Sequence, residues 1–182
     1  NPRTTMEDII SRRKKTPPQS ITLLPSSKKL VDVGTGTGCL GITAKLEFPE
    51  LDVTLVDVSI HALKIAKRNA QLLEANVTLL RSDLLQSYPF EPAIIVANLP
   101  YVDIDWDMSP EIMYEPEIAL FANDNGLSLI KKLIIEASTK LAKQGLLLLE
   151  ADVRQHNNII QYAKKEHFRH IETRGLIIWL ER

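Results

Sequence analysis

Cysteine is nearly missing from this sequence: Cys39 is the single one among 182 residues. An intrachain disulfide framework is therefore excluded, and the composition suits a reducing compartment. Long apolar runs are missing as well. With no stretch of 18 apolar residues and no signal-peptide hydrophobic core, the expectation is a soluble protein of the cytoplasm or an organelle matrix. A global basic field is also lacking, because the net charge is -1, so direct nucleic-acid binding is not expected. His61, His156, His167 and His170 share no metal-ligand spacing with Cys39 or with a carboxylate pair; they read as surface or helix-face residues, and no metal is expected. Internal repeats and low-complexity segments are lacking too.

What is present suits one compact domain. The length is that of one ordinary domain, and 45% of the residues are hydrophobic, enough to fill a core without a metal or disulfide staple. Charge is uneven along the chain. Residues 1–29 carry seven basic side chains against Glu7 and Asp8, which reads as a solvated, partly disordered segment rather than a patch for an anionic partner. Four prolines lie in the same stretch, and one short helix over 5–13 is expected. The chain starts at Asn1 with no initiator Met and is expected to be a fragment. From residue 30 onward, strand and helix signals alternate. Strands are expected over 30–33, 52–57, 77–81, 93–97 and 146–150, with helices over 39–48, 59–74, 127–143 and 153–166. Such alternation produces βαβ units, a parallel sheet and helices on both faces. Segments 171–173 and 176–180 flank Arg174 and Gly175 like an antiparallel pair at the sheet edge. Residues 102–124 are acidic and aperiodic, a loop of functional length. In that loop Asp103, Asp105 and Asp107 read as solvated, and Trp106 is as suited to ordinary packing as to walling a pocket. Trp179 is expected in the core, and Cys39 to be a small packing residue at a helix start.

Two stretches carry chemistry. The first is Asp32-Val33-Gly34-Thr35-Gly36-Thr37-Gly38, three glycines between a strand and a helix. Such a loop lets backbone approach a ligand and points helix N-terminal amides at it. Asp57 closes the second strand, where a carboxylate can accept both ribose hydroxyls of an adenosine group. Gly36-x-Gly38-x-x-Gly41 also satisfies the dinucleotide fingerprint, but Asp32 would set negative charge beside a pyrophosphate, whereas a cationic sulfonium tolerates it. The second stretch is Asn98-Leu99-Pro100-Tyr101, where a short apolar strand bounded by Pro92 and Pro100 delivers a polar amide into a stiff turn. In an open parallel sheet, ligands bind outside the carboxyl ends of the strands, so Asn98 is placed either for substrate or as a plain turn residue.

The glycine segment resembles the first motif of the class I S-adenosylmethionine-dependent methyltransferases. That resemblance implies a Rossmann-like, seven-stranded, mostly parallel sheet with an antiparallel C-terminal edge pair. It implies S-adenosylmethionine as cofactor, held by Asp32, Gly34, Thr35, Gly36, Thr37 and Gly38, by Asp57 and Val58, by Asp83 and Leu84 after the third strand, and by Asn98. Asp83 would meet the adenine amine while Val58 and Leu84 cover its faces; Leu84 stands where some relatives have an aromatic ring. The corner Asn98-Leu99-Pro100-Tyr101 resembles the Asn-Pro-Pro-Tyr motif of enzymes that methylate planar nitrogens, with Leu99 replacing the first proline. An sp² nitrogen is a poor nucleophile, so its N–H groups must be held by acceptors, here the Asn98 side chain and the Leu99 carbonyl, while Pro100 stiffens the corner and Tyr101 packs on the flat acceptor.

Two further segments, Asn1-Pro2-Arg3-Thr4-Thr5-Met6-Glu7-Asp8-Ile9 and Tyr114-Glu115-Pro116-Glu117-Ile118-Ala119-Leu120-Phe121-Ala122 followed by Asn125-Gly126-Leu127, are similar to segments of the release-factor glutamine methyltransferases of the PrmC/HemK type. The resemblance implies methylation of the glutamine in the Gly-Gly-Gln motif of a peptide-chain release factor, with that factor as partner and no membrane association. Asn-Leu-Pro-Tyr is also typical of ribosomal RNA adenine dimethyltransferases, so an RNA or DNA amino-group methyltransferase is the rival, and an inactive cofactor-binding partner subunit the second. The expected organisation is a leading segment, 1–29, and a methyltransferase domain, 30–182. No counterpart of the helical domain that usually precedes this catalytic domain is expected in this chain, which would then be either the catalytic part of a longer protein or a shortened member.

Overall fold

The computed structural model describes residues 28–101 and 127–182. Seven strands form one sheet in the order β3-β2-β1-β4-β5-β7-β6. In chain order the elements are β1 (Lys29–Val33), α1 (Cys39–Glu47), β2 (Asp52–Asp57), α2 (Ile60–Leu72), β3 (Thr78–Arg81), β4 (Ile94–Ala97), α3 (Ser128–Lys140), β5 (Leu146–Glu150), a 3-10 turn (Val153–Gln155), α4 (His156–Lys165), β6 (Arg169–Arg174) and β7 (Ile177–Glu181). Strands β1 to β5 pair in parallel. Strand β7 is antiparallel to both β5 and β6. The expected class, a mostly parallel seven-stranded sheet with an antiparallel C-terminal pair, is what the chain adopts.

Alternation along the strands divides the core in two. Val31, Val33, Ile95, Ala97, Leu147 and Leu149 pack with Ile130, Leu133 and Ile134 of α3 and Ile159 of α4. Leu30, Val53, Leu55, Ile94 and Val96 pack with Ile42 and Ala44 of α1 and Ala66 and Ala70 of α2. Successive strand residues point to opposite faces, so near-continuous apolar strands require helices on both sides. Full burial of a side chain such as Leu55 or Ile95 contributes about 1.5–3 kcal/mol. Trp179 is buried as expected.

Several boundaries differ from the sequence-based expectation for local reasons. Ser59 caps α2 by accepting the Ala62 N–H at 3.2 Å. That helix stops at Leu72, where the chain turns through Glu74 at φ 53° and the Ala75 N–H returns to the Ala70 carbonyl. Helix α3 stops at Lys140 rather than 143, because Leu141 turns to an extended conformation and the Ala142 N–H donates to the Pro92 carbonyl at 2.9 Å. The segment from Val153 begins as a 3-10 turn under a capping box made by Asp152 and Gln155. Strand β6 is longer than expected because β7 supplies backbone partners from Arg169 to Arg174.

The helix expected over 5–13, the loop expected over 102–124 with Asp103, Asp105, Trp106 and Asp107, and the segment from Tyr114 to Ala122 lie outside the described residues. No helix among the described residues is long and apolar enough to cross a membrane.

Candidate active site

The strand order places β1 beside β4, so the chain leaves β1 toward one edge of the sheet and later returns to its other side. A crevice opens where the winding reverses, outside the carboxyl ends of the strands. The glycine loop follows β1 there, and the corner from Asn98 follows β4, with Val33 and Ala97 opposite each other in register. One strand further out, Asp57 closes β2, opposite Arg81 of β3. Asp83 lies two residues beyond Arg81.

Asp32 and Asp57 organise the loop from below and from the side. Asp32 is 1% exposed, and its Oδ2 accepts both the Thr35 hydroxyl at 2.5 Å and the Gly41 N–H at 2.9 Å. Burial pushes its carboxyl up to about 6; the two hydrogen bonds oppose that rise, and the charge of Asp57 adds to it. The first free amides of α1 are thus partly spent inward, on Asp32, rather than all turned toward a ligand. Asp57 accepts the Gly36 N–H on Oδ2 at 2.9 Å and the Ser59 N–H on Oδ1 at 2.8 Å. A carboxylate oxygen has a second lone pair, so each can still take a hydroxyl. The Thr35 N–H donates to the Val56 carbonyl, and Asn69 of α2 donates to the Thr37 carbonyl.

Gly34 and Gly36 are both left-handed, where a side chain is strained, but they differ in what a Cβ would meet. Gly34 has φ 68°, and a Cβ there would stand 2.7 Å from Cδ2 of Leu99. Leu99, 4% exposed, therefore seals the corner against the glycine loop and couples the two halves of the crevice. Gly36 has φ 55°, and a Cβ there would meet nothing within 4 Å among the described residues, as suits a ligand-facing loop.

Asn98 is exposed although its neighbours Ala97 and Leu99 are buried. Pro100 and Tyr101 are half-buried. The Tyr101 hydroxyl donates to Glu150 Oε1 at 3.5 Å, and its carbonyl accepts Nε2 of Gln155 at 2.8 Å. Gln155 is 3% exposed and its Oε1 accepts the Asp152 N–H, so the turn after β5 holds the corner after β4. Val58 is 55% exposed at the end of β2. Asp83 is exposed, and its Oδ2 accepts from Lys132 at 2.6 Å and Gln86 at 3.1 Å. Leu84 turns back at φ 48° and is buried with the side chains of α3.

The candidate residues after β1, β2, β3 and β4 thus lie in sequence along one edge of the sheet. Glu150 and Gln155, which support Tyr101, were not legible as site residues. The Asp152-x-x-Gln155 spacing was a capping signal, but the second use of the Gln155 amide depends on where β5 lies. His156 is a helix residue, as expected, but it is only 8% exposed, with Nε2 3.0 Å from the Ala151 carbonyl. One expectation is corrected: Cys39 is exposed at the start of α1 rather than closely packed. No three His, Cys, Asp or Glu side chains among the described residues are grouped so as to hold a metal ion.

Comparison with known proteins adds to this geometry. The family model described as methyltransferase small domain matches residues 19–115. A release factor glutamine methyltransferase of Deinococcus radiodurans is 38% identical over 130 residues, 69% of this chain and 46% of that protein. A ribosomal protein uL3 glutamine methyltransferase of Francisella tularensis is 40% identical over 134 residues, 70% of this chain and 42% of that protein. The chain thus spans less than half the length of both. Among solved structures, a ribosomal protein L11 methylase of Lactobacillus delbrueckii superposes with a TM-score of 0.67 at 21% identity, over 98% of this chain and 77% of that one, a likeness of fold.

Proposed function

Since the chain belongs to the methyltransferase small domain family, we propose that it binds S-adenosylmethionine along the carboxyl edge of β1 to β4 and methylates a glutamine side-chain nitrogen, that of the Gly-Gly-Gln motif of a peptide-chain release factor. The observation that carries this reading is Asn98, an exposed residue between two buried ones, held beside the glycine loop by Leu99, whose side chain lies against Gly34.

The residues fit the cofactor. A Cβ at Gly36 would meet nothing within 4 Å among the described residues, Asp57 has lone pairs left for ribose hydroxyls, Asp83 is assigned to the adenine amine, and buried Asp32 favours a positive charge nearby. Gly34, Thr35, Thr37 and Gly38 shape the loop, with Val58 and Leu84 beside the adenine position. When bound, S-adenosylmethionine supplies an electrophilic methyl group on a sulfonium. The Asn98 oxygen and the Leu99 carbonyl accept the N–H groups of the incoming amide, and Tyr101 packs on its plane. Pro100 stiffens that corner. Holding both N–H groups orients the nitrogen lone pair, and pre-paid orientation is the main catalytic contribution available to a poor nucleophile.

The names of the relatives favour glutamine as the acceptor. The Francisella protein favours a second reading, in which the glutamine belongs to ribosomal protein uL3 and the chemistry is unchanged. Residues 30–182 form the transferase domain in this proposal and 1–29 a leading segment, and the activity belongs to the compartment of translation, cytoplasm or organelle matrix.

The test is incubation with methyl-labelled S-adenosylmethionine and, separately, a release factor, its Gly-Gly-Gln Gln→Ala variant, uL3 and ribosomal RNA. Label on the release factor that vanishes in the Gln→Ala variant is expected. Label on RNA alone overturns the proposal in favour of an amino-group methyltransferase of nucleic acid. Cofactor binding with no label anywhere indicates an inactive binding module. Asn98→Ala is expected to abolish transfer while largely sparing cofactor affinity, and surviving turnover refutes the role of the corner.

A further inference from the structure

Three side chains on one stripe of α3, four residues apart, reach across to the turn after β3. Lys132 Nζ lies 2.6 Å from Asp83 Oδ2. Glu136 Oε2 accepts the Leu85 N–H at 2.8 Å. Lys140 Nζ donates to the carbonyls of Leu85, Gln86 and Tyr88, the last at 2.7 Å. On a helix surface, Lys, Glu and Lys at this spacing ordinarily pair with one another; here all three are directed at residues 83–88. An ammonium has three donors, and Lys140 directs them at three carbonyls of one turn.

The turn needs such support. Leu84 is left-handed at φ 48° without being glycine, a conformation that persists only where the surroundings over-determine it. Within the turn, the Gln86 N–H donates to the Asp83 carbonyl and the Ser87 N–H to the Ser82 hydroxyl, while the Ser82 N–H ties its start to the Asp57 carbonyl. Leu84, Leu85 and Tyr88 are buried against the same helix. Both the backbone path and the Asp83 carboxylate are thereby set from α3. The Lys132 to Asp83 pair is half-exposed, so it adds little stability and acts by orienting the carboxylate.

We infer that Lys132, Glu136 and Lys140 are positioning residues that hold the turn 83–88 in the shape that lets Asp83 select a 6-aminopurine over a 6-oxopurine. This rests on the proposal that the crevice binds S-adenosylmethionine. With Oδ2 committed to Lys132 and Gln86, Oδ1 is directed as an acceptor, which matches an exocyclic amine and opposes a carbonyl.

The inference is tested by calorimetric titration of the full chain with S-adenosylhomocysteine and its 6-oxo counterpart, S-inosylhomocysteine, with thermal melts in parallel. The unmodified protein is expected to prefer the amino form by roughly ten- to a hundredfold, the range of one hydrogen bond to a charged group. In Lys140→Met and Glu136→Ala that preference is expected to collapse through loss of amino-form affinity, with the oxo form bound as before, and Lys140→Arg is expected to restore it. Equal weakening of both ligands in the variants, or no change in either, overturns the inference and leaves the stripe a purely structural one. Should Lys140→Met fail to fold, the surface variant Lys132→Met is the deciding case, and it too must narrow the preference. If the unmodified protein binds neither ligand, the proposed cofactor itself is refuted, which no other outcome implies.

Discussion

Asp32→Asn isolates the energetic consequence of a buried carboxylate under the glycine loop. Both donors to Asp32, the Thr35 hydroxyl and the Gly41 N–H, converge on Oδ2, so one amide oxygen can replace it with the loop unchanged. The carboxyl is raised from 3.8 to about 6 in the folded protein, chiefly by burial. Because the folded value lies above the unfolded one, ionisation opposes folding. The penalty is nil below 3.8, grows between 3.8 and 6, and is complete above 6. A rise of about 2 units corresponds to about 3 kcal/mol. The asparagine variant escapes this term but has a pH-independent cost for its buried NH₂, so the quantity to follow is the stability difference between variant and parent. In urea denaturation that difference is expected to move by about 2 kcal/mol in favour of Asp32→Asn between pH 4.5 and 7.5. A flat difference, or one that moves against the variant as pH rises, would refute the assignment of Asp32 as a destabilising ionised group. The same linkage predicts that a cationic ligand near Asp32 lowers its carboxyl again. S-adenosylmethionine affinity should then fall as pH drops from 7 to 5 in the parent and stay flat in the variant.

Other perturbations address the rest of the crevice. Gly34→Ala adds left-handed strain of about 1–2 kcal/mol and a clash of about 1–3 kcal/mol with Leu99; in chemical denaturation, Gly34→Ala with Leu99→Ala should recover the clash but not the strain, and simple additivity would contradict the contact. Asp57→Ala leaves the Gly36 and Ser59 N–H groups without their acceptor, and calorimetry should show S-adenosylhomocysteine affinity lower by roughly ten- to a hundredfold. Gln155→Leu removes the donor to the Tyr101 carbonyl, at about 1–3 kcal/mol of stability; steady-state kinetics should show a lower kcat with unchanged cofactor affinity, and an unchanged kcat would show that the corner holds itself.

Local signals sufficed for much of this protein. Apolar strand runs, each punctuated by glycine, proline or polar residues, determined the order of elements, because a strand buried on both faces has to be apolar along its length and a turn has to escape it. The glycine loop, Asp57 and the Asn98 corner were legible because each depends on residues adjacent in sequence at the end of a strand. Partners distant in sequence were not. That Asp32 is buried enough to resist ionisation, that the Leu99 side chain lies against Gly34, and that Gln155 reaches the Tyr101 carbonyl follow only from the placement of β4 and β5 beside β1. The Lys132, Glu136 and Lys140 stripe shows the difference most plainly. Its four-residue spacing determined that the three side chains share one face of a helix, whereas only the packing of that helix over the end of β3 decided that they face the turn after it rather than one another.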